Sequence, residues 1–117
     1  MNKSNRIKNL LTGQELRAVS LFCDRLKKET GKQTHTIVLF GSRSRGEGHE
    51  DSDVDILIIL KKEDHIMKVK IWDHAYKIFD ETDIMISPLV LSVEQFEKLL
   101  KHERLIALTI RKEGIKL

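Results

Sequence analysis

Leu39-Phe40-Gly41-Ser42-Arg43-Ser44-Arg45-Gly46-Glu47-Gly48-His49-Glu50-Asp51-Ser52-Asp53-Val54-Asp55-Ile56 joins two segments that read as β-strands. Upstream, residues 35–40 (His-Thr-Ile-Val-Leu-Phe) are rich in β-branched and aromatic types and run into Gly41-Ser42, a strand-to-turn transition. Downstream, residues 54–60 are apolar on both faces beyond Asp55, as expected of a central strand covered on both sides. Side chains alternate across a strand, so Asp53 and Asp55 share one face while Val54 turns to the core.

Two familiar loops fail on this stretch. Gly41 and Gly46 have the separation of a phosphate-binding P-loop, but Glu47-Gly48 stands where Lys and Ser/Thr are needed. Asp51, Asp53 and Asp55 imitate the first ligands of a calcium loop, yet Ile56 replaces the required glycine and Lys62 the closing glutamate. What survives is a Gly-Ser turn, ten residues, then two carboxylates at i and i+2 opening a strand. Two carboxylates on one face repel unless a cation sits between them, and hard oxygen ligands favour magnesium, which keeps sites for substrate phosphates. The turn offers backbone amides without a Cβ in the way, and Arg43 and Arg45 add cationic donors, so a magnesium-bound triphosphate suits the set.

Working outward, Thr12-Gly13-Gln14-Glu15 is a capping box, followed by Leu16, Val19, Cys23 and Leu26 at helical spacing; this predicts a helix over about 13–29 ended by Gly31. Cys23 lies on the apolar stripe and reads as a core thiol. Between Asp64 and Glu81, the residues Ile66, Val69, Trp72, Tyr76 and Phe79 fall at spacings of 3, 3, 4 and 3, predicting an amphipathic helix with that row as its core face. Residues 82–87 read as a third strand stopped by Pro88. Ser92-Val93-Glu94-Gln95 is a second capping box, opening a helix with Val93, Phe96, Leu99 and Leu100 inward, and a last helix over about 103–113 closes at Gly114. The order predicts an α+β (α/β) fold, a small mixed β-sheet flanked by helices.

At 117 residues the chain is expected to be one domain, 1–117, with residues 1–11 a flexible arm. Charged residues are 33% of the chain against a typical figure of about 25%, consistent with a small globule that is mostly surface. The longest apolar run, Ile56 to Leu60, is far shorter than a membrane span, and the basic N-terminus leads into no apolar segment, so a cytoplasmic location is expected. A lone cysteine makes neither a disulfide nor a cysteine-rich zinc site, and the five histidines show no ligand spacing. Net charge is only +3, and basic residues are scattered among acidic ones with few aromatics to stack on bases, which argues against nucleic acid as partner.

Gly41-Ser42, ten residues, then Asp53-x-Asp55 resembles the active-site motif of the DNA polymerase β-type nucleotidyltransferase superfamily. The longer pattern, Leu39 to Gly46 followed by Ser52-Asp53-Val54-Asp55-Ile56, is similar to that of the minimal nucleotidyltransferase (MNT) proteins, with Ser44 where alanine is more usual. The resemblance implies a polymerase β-like palm and transfer of AMP from ATP to a hydroxyl with two Mg²⁺ ions. It implies Gly41, Ser42, Arg43 and Arg45 at the nucleotide, and Asp53 and Asp55 as metal-binding catalytic acids joined by Asp83 from a neighbouring strand. MNT proteins commonly act as antitoxins beside HEPN-domain ribonuclease toxins and adenylylate a tyrosine of the toxin, so the resemblance also implies a HEPN partner in a hetero-oligomer. Transfer to a small molecule such as an aminoglycoside, and inhibition by contact without catalysis, are the rival expectations.

Overall fold

The computed structural model describes residues 10–41 and 53–117. Helix α1 (Gly13–Thr30) passes through a 3₁₀ turn (Gly31–Gln33) into strand β1 (Thr34–Phe40); β2 (Val54–Leu60), α2 (His65–Thr82), β3 (Ile86–Ser92), α3 (Val93–Lys101), α4 (Leu105–Glu113) and the two-residue β4 (Ile115–Lys116) follow. The strands lie in the order β3-β2-β1-β4. β1 is antiparallel to β2 and to β4, whereas β2 and β3 run parallel, so the expected mixed sheet is present.

Local chemistry starts each helix. The amide of Glu15 donates to the Thr12 hydroxyl at 3.1 Å and the Thr12 amide donates to the Glu15 carboxylate at 2.8 Å, satisfying two amides that the first turn leaves without partners. Ser92 and Gln95 repeat the arrangement at 2.9 and 3.0 Å, which lets β3 turn into α3 with no intervening loop. Asp64 caps α2 by accepting from the Met67 amide at 3.0 Å.

Alternation along β2 divides the core. Val54, Ile56, Ile58 and Leu60 pack with α1 and α2 on one face, with Phe22, Leu26, Ile71 and Ile78 among the buried partners. Leu57 and Ile59 face the other way, onto Val38, Ile110 and the partly buried Phe96. The central strand is therefore apolar on both sides because helices cover both sides, as its sequence predicts.

Three expectations are corrected. The third strand begins at Ile86, not Thr82, and runs through Pro88 to Ser92, because residues up to Thr82 continue α2. Pro88 is tolerated because β3 is an edge strand, where a residue without an amide donor need not break a ladder. The core face of α2 is Met67, Ile71, Ala75 and Ile78, not the row of larger side chains, for Ile66, Val69, Tyr76 and Phe79 remain 70, 57, 56 and 42% exposed. Both rows have helical periodicity; Ala75, completely buried between Ile71 and Ile78, lets α2 lie close against the rest of the core. Finally, Leu11 is buried in the core with Leu10 packed against it, so these two residues are not part of a free arm. The expectation for residues 1–9 falls outside the described residues.

The last helix is Leu105–Glu113, two residues shorter at its start than expected, and it does stop at Gly114. A Cβ on Gly114 would meet the Ile110 carbonyl oxygen and Val38 Cγ1, each at 2.5 Å, so close approach to β1, rather than a left-handed backbone, demands glycine here.

The exchanged faces of α2 yield a direct comparison: Ile78→Ala should destabilise the fold by about 2–5 kcal/mol, while Tyr76→Ala should stay within roughly 0.5 kcal/mol of the parent. Urea unfolding of the two variants measures both, and the opposite ranking would restore the aromatic row to the core.

Candidate active site

Asp53 immediately precedes β2 and Asp55 is its second residue, so the acid pair stands at one end of the central strand. The pairing register sets Phe40 of β1 opposite Asp55, and Ser87 of β3 beside it on the other flank. Because Leu57 and Ile59 face α3 and α4, alternation places Asp53, Asp55, Phe40 and Ser87 on that same sheet face, beyond the cover these two helices provide. The Val54 amide donates to the Met85 carbonyl at 3.0 Å, which anchors the start of β2 between the two acids.

Asp55 is only half buried, yet its carboxyl is held above the ordinary carboxylate range, first by burial and second by the negative charge of Asp53. Both causes penalise the ionised form. The folded state therefore binds this proton more tightly than the unfolded chain does, and the native fold loses stability as pH rises from the unfolded value near 3.8 through the raised one. A divalent cation bound to the carboxylates would reverse that penalty. Two hard oxygen donors of like charge, one of them partly desolvated, suit magnesium.

Gly41 adopts φ +78°, a left-handed conformation that a side chain disfavours. An added Cβ would also lie 3.2 Å from Asp55 Cγ and nearer still to its Oδ2. The glycine thus makes room for the carboxylate itself, a more specific requirement than an unobstructed phosphate path. Of the other expected nucleotide-binding residues, Ser42, Arg43 and Arg45 lie outside the described residues.

Asp83, the expected third acid, is not on a strand. It caps the C-terminus of α2 with φ 64°, donating its amide to the Phe79 carbonyl at 2.8 Å, and its side chain is exposed. Among the described residues no three Asp, Glu, His or Cys side chains come together as a metal site. Ser87 is the neighbour that sequence reasoning missed. Its place beside Asp55 follows from the β2–β3 register, and a strand set four residues too early conceals that register.

Further along this sheet face, a hollow of about 360 Å³ lies between β1, β2, α3 and α4, lined by Val38, Leu57, Phe96, Leu100 and Ile110 among others. Neither acid of the pair lines it. No helix among the described residues is long and apolar enough to cross a membrane.

A glycine turn against two acids that open the central strand of a mixed sheet is the arrangement the sequence resemblance leads one to expect of a nucleotidyltransferase. The chain belongs to the nucleotidyltransferase domain family, whose sequence profile matches residues 19–115. Two proteins of Methanocaldococcus jannaschii, both provisionally named protein adenylyltransferases, are similar to it. One is 33% identical over 85 residues, which cover 72% of this chain and 80% of that protein. The other is 42% identical over 55 residues, 46% of this chain, and is matched over 56% of its own length. Among solved structures, a toxin–antitoxin complex with AMP-PNP aligns at 22% identity with a TM-score of 0.52, covering 81% of this chain and 68% of the other. A nucleotidyltransferase-like protein from Sulfolobus solfataricus aligns at 17% identity with a TM-score of 0.51, covering 97% and 84%. At these identities the structural likeness speaks to the fold, and it agrees with the mixed sheet described above.

Gly41→Ala should lower stability and distort the acid pair together, by about 1 kcal/mol for the backbone conformation alone and more for the clash with Asp55. Combining it with Asp55→Ala removes the obstructing carboxylate, so the double variant should lose less stability than the sum of the two single losses, as urea melts will show. Additive losses would separate Gly41 from Asp55.

Proposed function

We propose that the protein is a magnesium-dependent adenylyltransferase that moves AMP from ATP to a hydroxyl group, with a tyrosine of a HEPN-domain partner toxin as acceptor. The observation that carries this reading is the acid pair at the open end of β2, seated against a glycine that no other residue can replace without striking Asp55. Family membership and similarity to proteins named adenylyltransferases support the reaction class. Similarity in fold to a toxin–antitoxin complex holding an ATP analogue supports the nucleotide and the antitoxin setting.

In this reading Asp53 and Asp55 hold the magnesium ions, and the raised proton affinity of Asp55 in their absence is the reason the pair fits them. When bound, the metal would supply charge stabilisation for the entering and departing oxygens. The acceptor hydroxyl attacks the α-phosphorus and pyrophosphate leaves. The amides at Gly41 and Ser42 receive the β- and γ-phosphates, with Arg43 and Arg45 as further donors to the nucleotide. Asp83 is proposed as the third carboxylate and as the group that takes the acceptor proton. The Val54 amide bonds the Met85 carbonyl, and Asp83 stands two residues before Met85, at the end of α2 nearest the start of β2. The reaction is proposed to take place in the cytoplasm.

The test is to mix the protein with the product of its neighbouring gene, ATP and magnesium, and to weigh that product by intact mass spectrometry. Each transferred adenylate should add about 329 Da, and Asp53→Asn or Asp55→Asn should abolish the addition while the variants still melt cooperatively. A partner that is inhibited but unmodified would establish inhibition by contact. Modification of an added aminoglycoside instead would establish a small-molecule transferase.

A further inference from the structure

Helix α2 carries a second apolar face that nothing in the described chain covers. Val69, Trp72, Tyr76 and Phe79 follow one another at spacings of 3, 4 and 3, the a and d positions of two heptads, along about 15 Å of helix. Val69, Tyr76 and Phe79 are largely solvent-exposed, and the Trp72 and Tyr76 rings lie together with centroids 6.0 Å apart. Around them is a shallow hollow of about 300 Å³ that is bordered by Lys68 and Asp73. A row of large side chains with this period has the form of a helix-pairing seam and is more than the scatter of single apolar residues normal on a surface.

We propose that this seam pairs with the same seam of a second copy, the two α2 helices lying parallel across a two-fold axis. The charges at its edges select that arrangement. With Val69 and Tyr76 at a, Lys68 occupies g, and Asp73 and Asp80 occupy e. In a parallel pair each g residue faces the e residue five positions later on the other helix, so Lys68 of each copy meets Asp73 of its mate, twice per dimer. An antiparallel pair would instead bring e against e, acid against acid. Asp73 already accepts an intrahelical contact from Lys77 at 3.1 Å but stays exposed, with room for a second cation. The uncovered side chains amount to roughly 400–500 Å² per copy, which brings the pair near the roughly 1,000 Å² at which specific association begins, so a concentration-dependent dimer is expected. This seam lies on α2, which packs on the sheet face opposite Asp53 and Asp55; the proposal stands whether or not the transferase reading holds.

Charge exchange tests the pairing. Sedimentation equilibrium of the unaltered protein should show a monomer–dimer equilibrium. Lys68→Glu alone sets acid against acid and Asp73→Lys alone sets base against base, and each should weaken the dimer about tenfold or more while circular dichroism stays unchanged. An equimolar mixture of the two variants should recover the dimer, since every facing pair is then opposite in sign. An unaltered protein that is monomeric at every concentration, single variants that dimerise as before, or a mixture that fails to associate would each overturn the proposal. So would a monomer whose seam is shielded only when a different protein binds it.

Discussion

Two like charges at the open end of an otherwise apolar strand are the constraint around which this molecule is arranged. Asp53 and Asp55 lead into Ile56–Leu60, whose side chains are buried or nearly so, and the strand cannot slide to hide the acids without turning its apolar side chains to the wrong faces. The register with β1 and β3 holds the pair at the rim of the sheet, where α3 and α4 no longer cover that face. Gly41 then comes close enough to Asp55 that no Cβ can stand between them. The result is a pair in which burial and like charge both penalise the ionised form of Asp55.

The sheet, both capping boxes and the acid pair are legible in the sequence because each is set by local rules. Thr12-x-x-Glu15 and Ser92-x-x-Gln95 name their hydrogen bonds by spacing, and the i, i+2 placement of Asp53 and Asp55 fixes their common face without reference to anything distant. The orientation of α2 is not local. Its two apolar rows have the same period, and the larger one, with Tyr76 and Phe79, is the stronger signal when residues are read alone; which row turns inward depends on how closely the sheet and α1 approach, a fact recorded only by the small Ala75. The start of β3 is not legible for a related reason. Thr82-Asp83-Ile84 suits a strand entry, but Asp83 can adopt a left-handed helix cap, and the proline that should end a strand is harmless on an edge.

The late start of β3 sets Ser87 beside Asp55 and puts Asp83 at the C-terminal cap of α2. Turning α2 over exposes an aromatic seam, so the acid pair lies on one face of the sheet and the uncovered seam lies on the helix packed against the other.

We propose that Asp53 and Asp55 form a divalent-cation site, disfavoured by burial and like charge until a metal binds. It is tested most directly by following the Asp55 side-chain carboxyl by ¹³C NMR as pH is varied, without magnesium and then with it. Without the metal the carboxyl should titrate above the usual range for aspartate; its titration should fall when magnesium is added, and fall without magnesium when Asp53 is replaced by Asn. An Asp55 that titrates normally, or whose titration magnesium does not move, would contradict it.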